Sequence, residues 1–367
     1  LKIKALRNEL LTPIQTVIGA VASKSSMTAL EHILLRTNEQ VTEFVATDLE
    51  VEIRASSEAV VSDVEGEITL PGKRLYDILR ALPDQSEVTL TIDAGKAAVK
   101  SGRSRFALNT LQADLFPLSL DEEFLTTFTV PQSLLKHALD CTSFAMTHDK
   151  DPRMMIRGVL FDCLEREPFL RLVATNGHRL AACDLPGAEM HVEGEKQAIL
   201  PKKGCAAIQK ALEDNDNPVR VMIGKNHLRL VVGTTTITSK LITERFPDYL
   251  RVIPRQHPYS LSADREAFRE VLHRVSLGLD KEAGIGLSIK EGKLRAFSLT
   301  EDTEDEFDLI DHSGDIEIGF SPFYLQDVLR VLEGDTVVCG FHGTTDSFLI
   351  QDASKEDQVH VVMSRRL

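Results

Sequence analysis

Apolar residues recur at helical spacing in Leu10, Leu11, Ile14, Val17, Ile18 and Val21, and the segments Ser133–Phe144 and Arg265–Leu277 carry matching patterns. Asn8 is placed to cap the first of these helices, and Pro13 inside it is expected to kink the helix or weaken its first turns. Each helical stretch is followed by alternating, strand-like runs. Glu43-Phe44-Val45-Ala46-Thr47 and Leu170-Arg171-Leu172-Val173-Ala174-Thr175 are two of them.

The pattern repeats. Leu70-Pro71-Gly72-Lys73 leads into an amphipathic stretch, two strand-like runs and Phe116-Pro117, while Leu200-Pro201-Lys202-Lys203 leads through the same succession to Phe246-Pro247-Asp248-Tyr249. A third copy begins near Ser321-Pro322. In register, Leu75 aligns with Cys205 and Leu325, Ile78 with Ile208 and Val328, and Leu82 with Leu212 and Leu332. Three- and four-residue spacing places them on one helical face. On the opposite side Arg80, Lys210 and Arg330 also coincide, which suggests a shared basic surface. The reading is helix, strands, helix, strands, three times over, with polar linkers near Asp121–Thr127 and Arg255–His257. The expected class is α+β, with two helices packed on antiparallel sheet in each of three domains covering residues 1–122, 128–254 and 258–367.

Composition sharpens this picture at three points. Hydrophobic residues make up 43% and charged ones 27% of the 367 residues, as in ordinary globular chains, and no apolar run reaches membrane-spanning length. Leu1-Lys2-Ile3-Lys4 leads into a polar segment, not a signal-peptide hydrophobic region. The five cysteines (Cys141, Cys163, Cys183, Cys205, Cys339) are scattered without a C-x-x-C pair, which reads as reduced thiols. Net charge is −14, which argues against simple nucleic-acid binding unless the basic residues are segregated onto one surface.

Several stretches then carry a specific likeness: Ser101-Gly102-Arg103-Ser104-Arg105-Phe106, Ala174-Thr175-Asn176-Gly177-His178-Arg179-Leu180, Phe246-Pro247-Asp248-Tyr249 and the terminal Arg366-Leu367. With them the chain resembles the β subunit of bacterial DNA polymerase III, the β sliding clamp, over essentially its whole length. The resemblance implies three repeated DNA-clamp domains that form a ring on head-to-tail dimerisation, with helices lining the hole and sheets outside. It implies a non-catalytic processivity factor, without a cofactor, that encircles and slides on duplex DNA in the cytoplasm, associated with the nucleoid. The implied partners are the replicative polymerase catalytic subunit, the clamp loader, translesion polymerases and repair proteins, all bound through short linear motifs.

Three surfaces follow from that resemblance. A basic lumen within an acidic protein is expected to use Lys24, Lys73, Arg80, Lys202, Lys203, Lys210 and Arg330 as sequence-independent phosphate contacts. Ring closure is expected to set Lys73, Arg103, Arg105, Phe106 and Leu108 of one chain against Leu277, Leu279 and the run Glu301-Asp302-Thr303-Glu304-Asp305-Glu306 of the other. The peptide pocket corresponds to Arg153, Ile156, Thr175, Gly177, His178, Arg179, Leu180, Pro247, Arg251, Val252, Val361, Met363, Arg366 and Leu367, extended by Ser321, Tyr324 and Ser347. Apolar walls there would accept the Leu and Phe anchors of a peptide, with polar groups fixing its direction. The chain departs from the family pattern in Met363-Ser364-Arg365-Arg366-Leu367, where loss of a proline is expected to free the tail and Arg365 replaces an apolar wall residue. Met154 and Met155 stand where relatives can carry aromatics, so DNA contact by that loop is not expected.

Catalytic readings fare worse. His178 could serve as a general base, yet no nucleophile is marked beside it. Gly66 to Gly72-Lys73 misses the phosphate-loop spacing, and Arg74 stands where Ser or Thr is needed. The eleven histidines show no H-E-x-x-H or Cys/His spacing, so no metal site is expected. A repeat-built interaction scaffold that does not encircle DNA is the alternative class, and a hydrolase or nuclease the third.

Overall fold

A computed structural model of the chain describes residues 1–62, 64–93, 95–119, 122–164, 170–280, 282–344 and 346–367. Among these residues the α-helices are α1 (Arg7–Val17), α2 (Gly72–Ala81), α3 (Gln132–Ser143), α4 (Lys202–Ala211), α5 (Arg265–Val275) and α6 (Pro322–Val331). The repeat is visible in them. Helices α2, α4 and α6 are each ten residues long, and each carries its basic residue in the last turn: Arg80, Lys210 and Arg330. The aligned apolar triads are all buried, but only the first two lie on the helices: Leu82, Leu212 and Leu332 stand one residue past the helix ends, where the chain turns back to the sheet. Burying one Leu or Ile side chain stabilises by roughly 1.5–3 kcal/mol, so the repeated face is the reason these short helices persist.

Two local expectations change. Leu6, not Asn8, precedes the first helical turn, because the strand Lys2–Leu6 runs straight into α1. The Leu6 N–H donates to Glu9 Oε2 at 2.7 Å, so the cap comes from the third helical residue. Pro13 is buried within α1, which continues through it as one element. The linker expected at Asp121–Thr127 is also shorter, since Thr126 and Thr127 already belong to the strand Thr126–Pro131, paired with Pro218–Ile223. Asp121 lies outside the described residues.

The sheets are antiparallel, and the chain divides into two compact units. The first comprises residues 1–133, 189–195 and 203–241. It holds a four-stranded sheet in the order Lys2–Leu6, Glu87–Asp93, Lys96–Ser101, Ser104–Asn109. Its nine-stranded sheet runs Glu189–Val192, Thr126–Pro131, Pro218–Ile223, His227–Val232, Thr235–Lys240, Val51–Ser57, Thr42–Thr47, His32–Thr37, Gly66–Pro71. Strands of the first and second repeats meet in this sheet where Ile237 pairs with Ile53. Leu10 and Ile14 of α1, Leu75 and Leu79 of α2, and Leu35, Phe44, Val88, Leu90 and Val99 of the two sheets enclose a void of only ≈ 10 Å³. That space is too small to hold a water comfortably, so the core is closed.

The second unit comprises residues 134–188, 196–202 and 242–367. Its nine-stranded sheet runs Gln197–Pro201, Gly158–Cys163, Leu170–Thr175, Arg179–Leu185, Lys355–Met363, Ser347–Asp352, Thr336–Phe341, Tyr259–Asp264, Asp311–Ser313. The second and third repeats join where Leu180 pairs with Val361 and Cys183 with Gln358. A four-stranded sheet, Glu304–Asp308, Lys293–Ser298, Ile285–Lys290, Ile316–Phe320, completes the unit. Phe268, Val271 and Leu272 of α5 and Leu325, Val328 and Leu329 of α6 share one core with these strands. The middle repeat is thus divided between units, because its strands pair outward on both sides.

Candidate partner-binding and nucleic-acid surfaces

At the seam in the second unit, Ile156, Leu160, Val173, Leu180, Phe246, Tyr249, Leu349 and Val361 form one buried apolar cluster. Phe246 and Tyr249 are its anchors from the segment after the sheet, and the Tyr249 hydroxyl donates to Asp162 Oδ2 at 2.8 Å. Because alternate residues of that segment are tied down, Pro247, Leu250, Arg251 and Val252 face outward and remain exposed. Met363 and Leu367 are exposed as well, while Val361 is fully buried. The seam thus pairs a dry core with exposed apolar residues, Pro247, Leu250, Val252, Met363 and Leu367. Exposed Met363 and Met154 add adaptable surface.

Polar groups flank this core. The Asn176 side chain accepts the His178 and Arg179 N–H groups at 2.9 and 3.0 Å, and Thr175 Oγ1 donates to the Arg179 carbonyl at 2.6 Å. Gly177 has φ +88°, which favours glycine, and a Cβ there would stand 2.6 Å from Arg153 Nη1, so the tip of that side chain would have to shift. Arg153 pairs with Asp151 through Nη2 at 2.7 Å and reaches the Asn176 carbonyl at 3.1 Å. Its hydrogen bonds hold the Asp151 carboxyl well below the usual carboxylate range. Arg179 lies between the Phe144 and Tyr324 rings, 5.0 and 4.7 Å from their centroids, and bonds Asp327 at 2.5 Å. The His178 ring stacks on Tyr324 at 6.4 Å, an aromatic neighbour in place of the nucleophile a general base would need. Ser321 is buried ahead of α6, and Ser347 pairs with Met363. Sequence reasoning missed Phe144, Asp151, Asn176 and Asp327. Their signal was proximity in the chain, Asp151 two residues before Arg153 and Asp327 one turn after Tyr324.

The carboxyl-terminal tail is not free. Arg365 donates its N–H to the Gly319 carbonyl at 2.7 Å and its Nη1 to the Glu282 carbonyl at 2.5 Å. The backbone bridge does the work expected of a proline, and Arg365 points to a carbonyl instead of the apolar wall. Arg366 and Leu367 beyond it are exposed.

The seven candidate phosphate contacts are all exposed, and they differ in what already holds them. Lys73 donates to Ser23 Oγ at 2.7 Å, and Arg80 lies over the Tyr76 ring. Lys203 lies 2.5 Å from Asp48 and 3.1 Å from Glu50, and Arg330 lies 3.4 Å from Asp327. Within the first unit a cleft of ≈ 820 Å³ is lined by Thr12, Thr16 and Gly19 on one side and Lys203, Ala207 and Lys210 on the other. Lys24 and Lys202 are exposed without further distinction.

The residues expected at the closure surfaces lie at and beside two sheet edges. Ser104–Asn109 ends its sheet, with Arg103 and Arg105 exposed and Phe106 half-buried. Leu108 is 1% exposed: strand alternation turns it into the core, which removes it from the closure surface. Glu304–Asp308 ends the other small sheet. There the acidic run is partly compensated within its own chain, by Arg295 on Glu304, Lys293 on Glu306 and Arg274 on Asp305. Leu277 and Glu301 are exposed, whereas Leu279 packs partly against the third-repeat core.

Comparison with known proteins meets this geometry along its full length. Residues 1–121, 129–248 and 250–366 match the N-terminal, central and C-terminal domain models of the DNA polymerase III beta subunit. The beta sliding clamp of Pseudomonas aeruginosa is 36% identical over 367 residues, covering 98% of each chain. A crystal structure of the DNA polymerase III subunit beta from Pseudomonas aeruginosa superposes with TM-score 0.93 at 34% identity, covering 100% of both chains. Another from that organism, a DnaN sliding clamp bound to griselimycin, gives 0.92 at 34% identity over 100% of this chain and 99% of that one. Three clamp domains in sequence order and a matching fold throughout lead to one conclusion: the chain belongs to the DNA polymerase III beta subunit family, the β sliding clamps.

Proposed function

We propose that two copies of this chain close head to tail into a ring around duplex DNA, and that partners dock by short peptides on the apolar floor around Leu180 and Val361. As a β sliding clamp the chain is a processivity factor, a non-catalytic accessory subunit that tethers polymerase to DNA. The observation that carries the reading is the full-length superposition on solved clamps at TM-score 0.93. The proposed domains are residues 1–122, 128–254 and 258–367, working in the cytoplasm at the nucleoid. Among the described residues no helix is long and apolar enough to cross a membrane.

The two unpaired edges support closure. Exposed backbone at Ser104–Asn109 and Glu304–Asp308 invites strand pairing, and two such heterologous contacts related by a closing rotation make a ring. Arg103 and Arg105 facing an acidic edge set the register more than they add affinity. Inside the ring, Lys24, Lys73, Arg80, Lys202, Lys210 and Arg330 attract phosphates while the net charge of −14 falls on other surfaces. Lys203 contributes least, since Asp48 and Glu50 hold it. At the pocket, Arg153, Arg179 and the His178–Tyr324 pair orient a peptide whose apolar anchors reach the floor. The replicative polymerase, the clamp loader, translesion polymerases and repair proteins compete for this one site. Light scattering of the full chain tests the assembly. The expected mass is twice 40.7 kDa, and a monomer at micromolar concentration would overturn the ring.

A further inference from the structure

The seam of the second unit carries a second cluster, remote in sequence and assembled only by folding. His137 of α3, Cys183 of Arg179–Leu185 and Asp357 of Lys355–Met363 bring one nitrogen, one sulfur and one oxygen within 4.8 Å of one another. We propose that these three side chains bind a zinc-type divalent cation across the strand pairing that joins the second and third repeats.

The chemistry of the donors favours this class of ion. A borderline-soft cation takes imidazole nitrogen and thiolate sulfur together at 2.0–2.3 Å, roughly, whereas calcium and magnesium demand oxygen throughout. Bonds of that length place tetrahedral nitrogen, oxygen and sulfur donors about 3.3–3.6 Å apart, on the order of an ångström closer than the 4.8 Å that encloses them here. Small side-chain rotations would close that gap.

The histidine is already oriented for the task. Its Nδ1 lies 3.2 Å from Glu333 Oε1, and Lys355 holds Glu333 in turn at 2.5 Å. A carboxylate accepting from Nδ1–H fixes the tautomer that leaves Nε2 as a lone pair, as metal-binding histidines require. That nitrogen accepts from the Gln358 amide at 2.9 Å, a hydrogen bond the ion would displace, and has Cys141 Sγ at 3.6 Å and Asp357 Oδ2 at 3.9 Å beside it. Asp357 Oδ1 is buried and has no hydrogen-bond partner among the described residues. An orphaned carboxylate oxygen is costly unless something else satisfies it, and a cation does so. Cys183 is fully buried, yet His137 and Asp357 keep side-chain exposures of 20% and 27%, which gives an ion a way in.

The site would act as a staple. Cys183 and the neighbour of Asp357, Gln358, are paired across adjacent strands from different repeats, and His137 ties both to α3. Bound metal therefore stabilises the seam that also shapes the pocket, without entering it. No sequence motif announced this, because each ligand comes from a different element.

Cobalt(II) supplies the test, since its thiolate charge-transfer band and tetrahedral visible bands report the ligands directly. Titration of the reduced, metal-free full-length protein is expected to show both bands, saturating at one ion per chain and bleached by zinc. Zinc is also expected to raise the melting temperature. Cys183→Ser removes the charge-transfer band, and His137→Gln and Asp357→Asn each weaken cobalt binding at least tenfold. Cys339→Ser, in the third-repeat core, leaves the spectrum unchanged. A wild-type spectrum without the thiolate band, or one that survives Cys183→Ser, overturns the site. Should Cys183→Ser fail to fold, unchanged affinity in Asp357→Asn overturns it equally.

Discussion

The Arg179 guanidinium sits 4.7 Å from the centroid of the Tyr324 ring, and this contact joins the second repeat to the third beside the proposed peptide site. Phe144 covers its other face and Asp327 takes its Nη1, so a side chain only 9% exposed is held on three sides. Planarity matters here: a guanidinium stacks between rings and still donates in plane, and an ammonium does not. Arg179→Lys is expected to weaken binding of a clamp-binding peptide by about 1–2 kcal/mol, about tenfold. Isothermal titration with one such peptide checks it, and equal affinity would mean that Arg179 serves the seam alone.

Gly177 and Gly187 offer a controlled comparison. Both have positive φ, +88° and +72°, but an added Cβ meets Arg153 Nη1 at 2.6 Å in the first case and nothing within 4 Å in the second. Gly187→Ala should cost about 1 kcal/mol of backbone strain. Gly177→Ala should cost that plus the displacement of Arg153, seen as a larger fall in melting temperature and a loss of peptide affinity that Gly187→Ala lacks.

His360 makes stability depend on pH in a defined direction. It is completely buried, and burial pushes its pKa from 6.5 down to about 3. Above pH 6.5 both states are neutral and the group has no effect. As pH falls from there toward 3, only the unfolded chain gains the proton, so folding weakens by about 1.4 kcal/mol per pH unit. Chemical denaturation at pH 7 and 5.5 is expected to show this loss in the wild type and a shallower one in His360→Gln. Parallel slopes would contradict the assignment.

Much of this was legible in the chain because the repeat made it redundant. Three aligned apolar triads and three aligned cations located α2, α4 and α6, since each copy checked the others, although the last triad, Leu82, Leu212 and Leu332, falls just past the helix ends. Leu108 shows where such reading fails. Its run, Arg105-Phe106-Ala107-Leu108, looks like an apolar edge, and only the pairing register decides which face turns inward. The Arg365 tether was equally hidden, because it joins segments that sequence spacing does not relate. Family resemblance named the proposed pocket residues, while the packing of Phe144 and Asp327 against Arg179 emerged only from the fold.

The candidate lumen cations should separate by salt dependence. Each lost phosphate contact lowers the slope of log affinity against log salt by about 1. Arg80→Glu and Lys210→Glu are expected to lower it and to shorten retention on DNA. Lys203→Ala should change it little, because Asp48 and Glu50 already occupy that ammonium. Fluorescence anisotropy across a salt series reads these slopes.

The central claim, encirclement, is tested most directly by retention on circular against linearised nicked DNA after incubation with a clamp loader and ATP. A ring holds by topology while its phosphate contacts remain weak, so the account predicts lasting retention on circles and rapid loss through free ends. Equal retention on both substrates would mean ordinary surface binding and would contradict it.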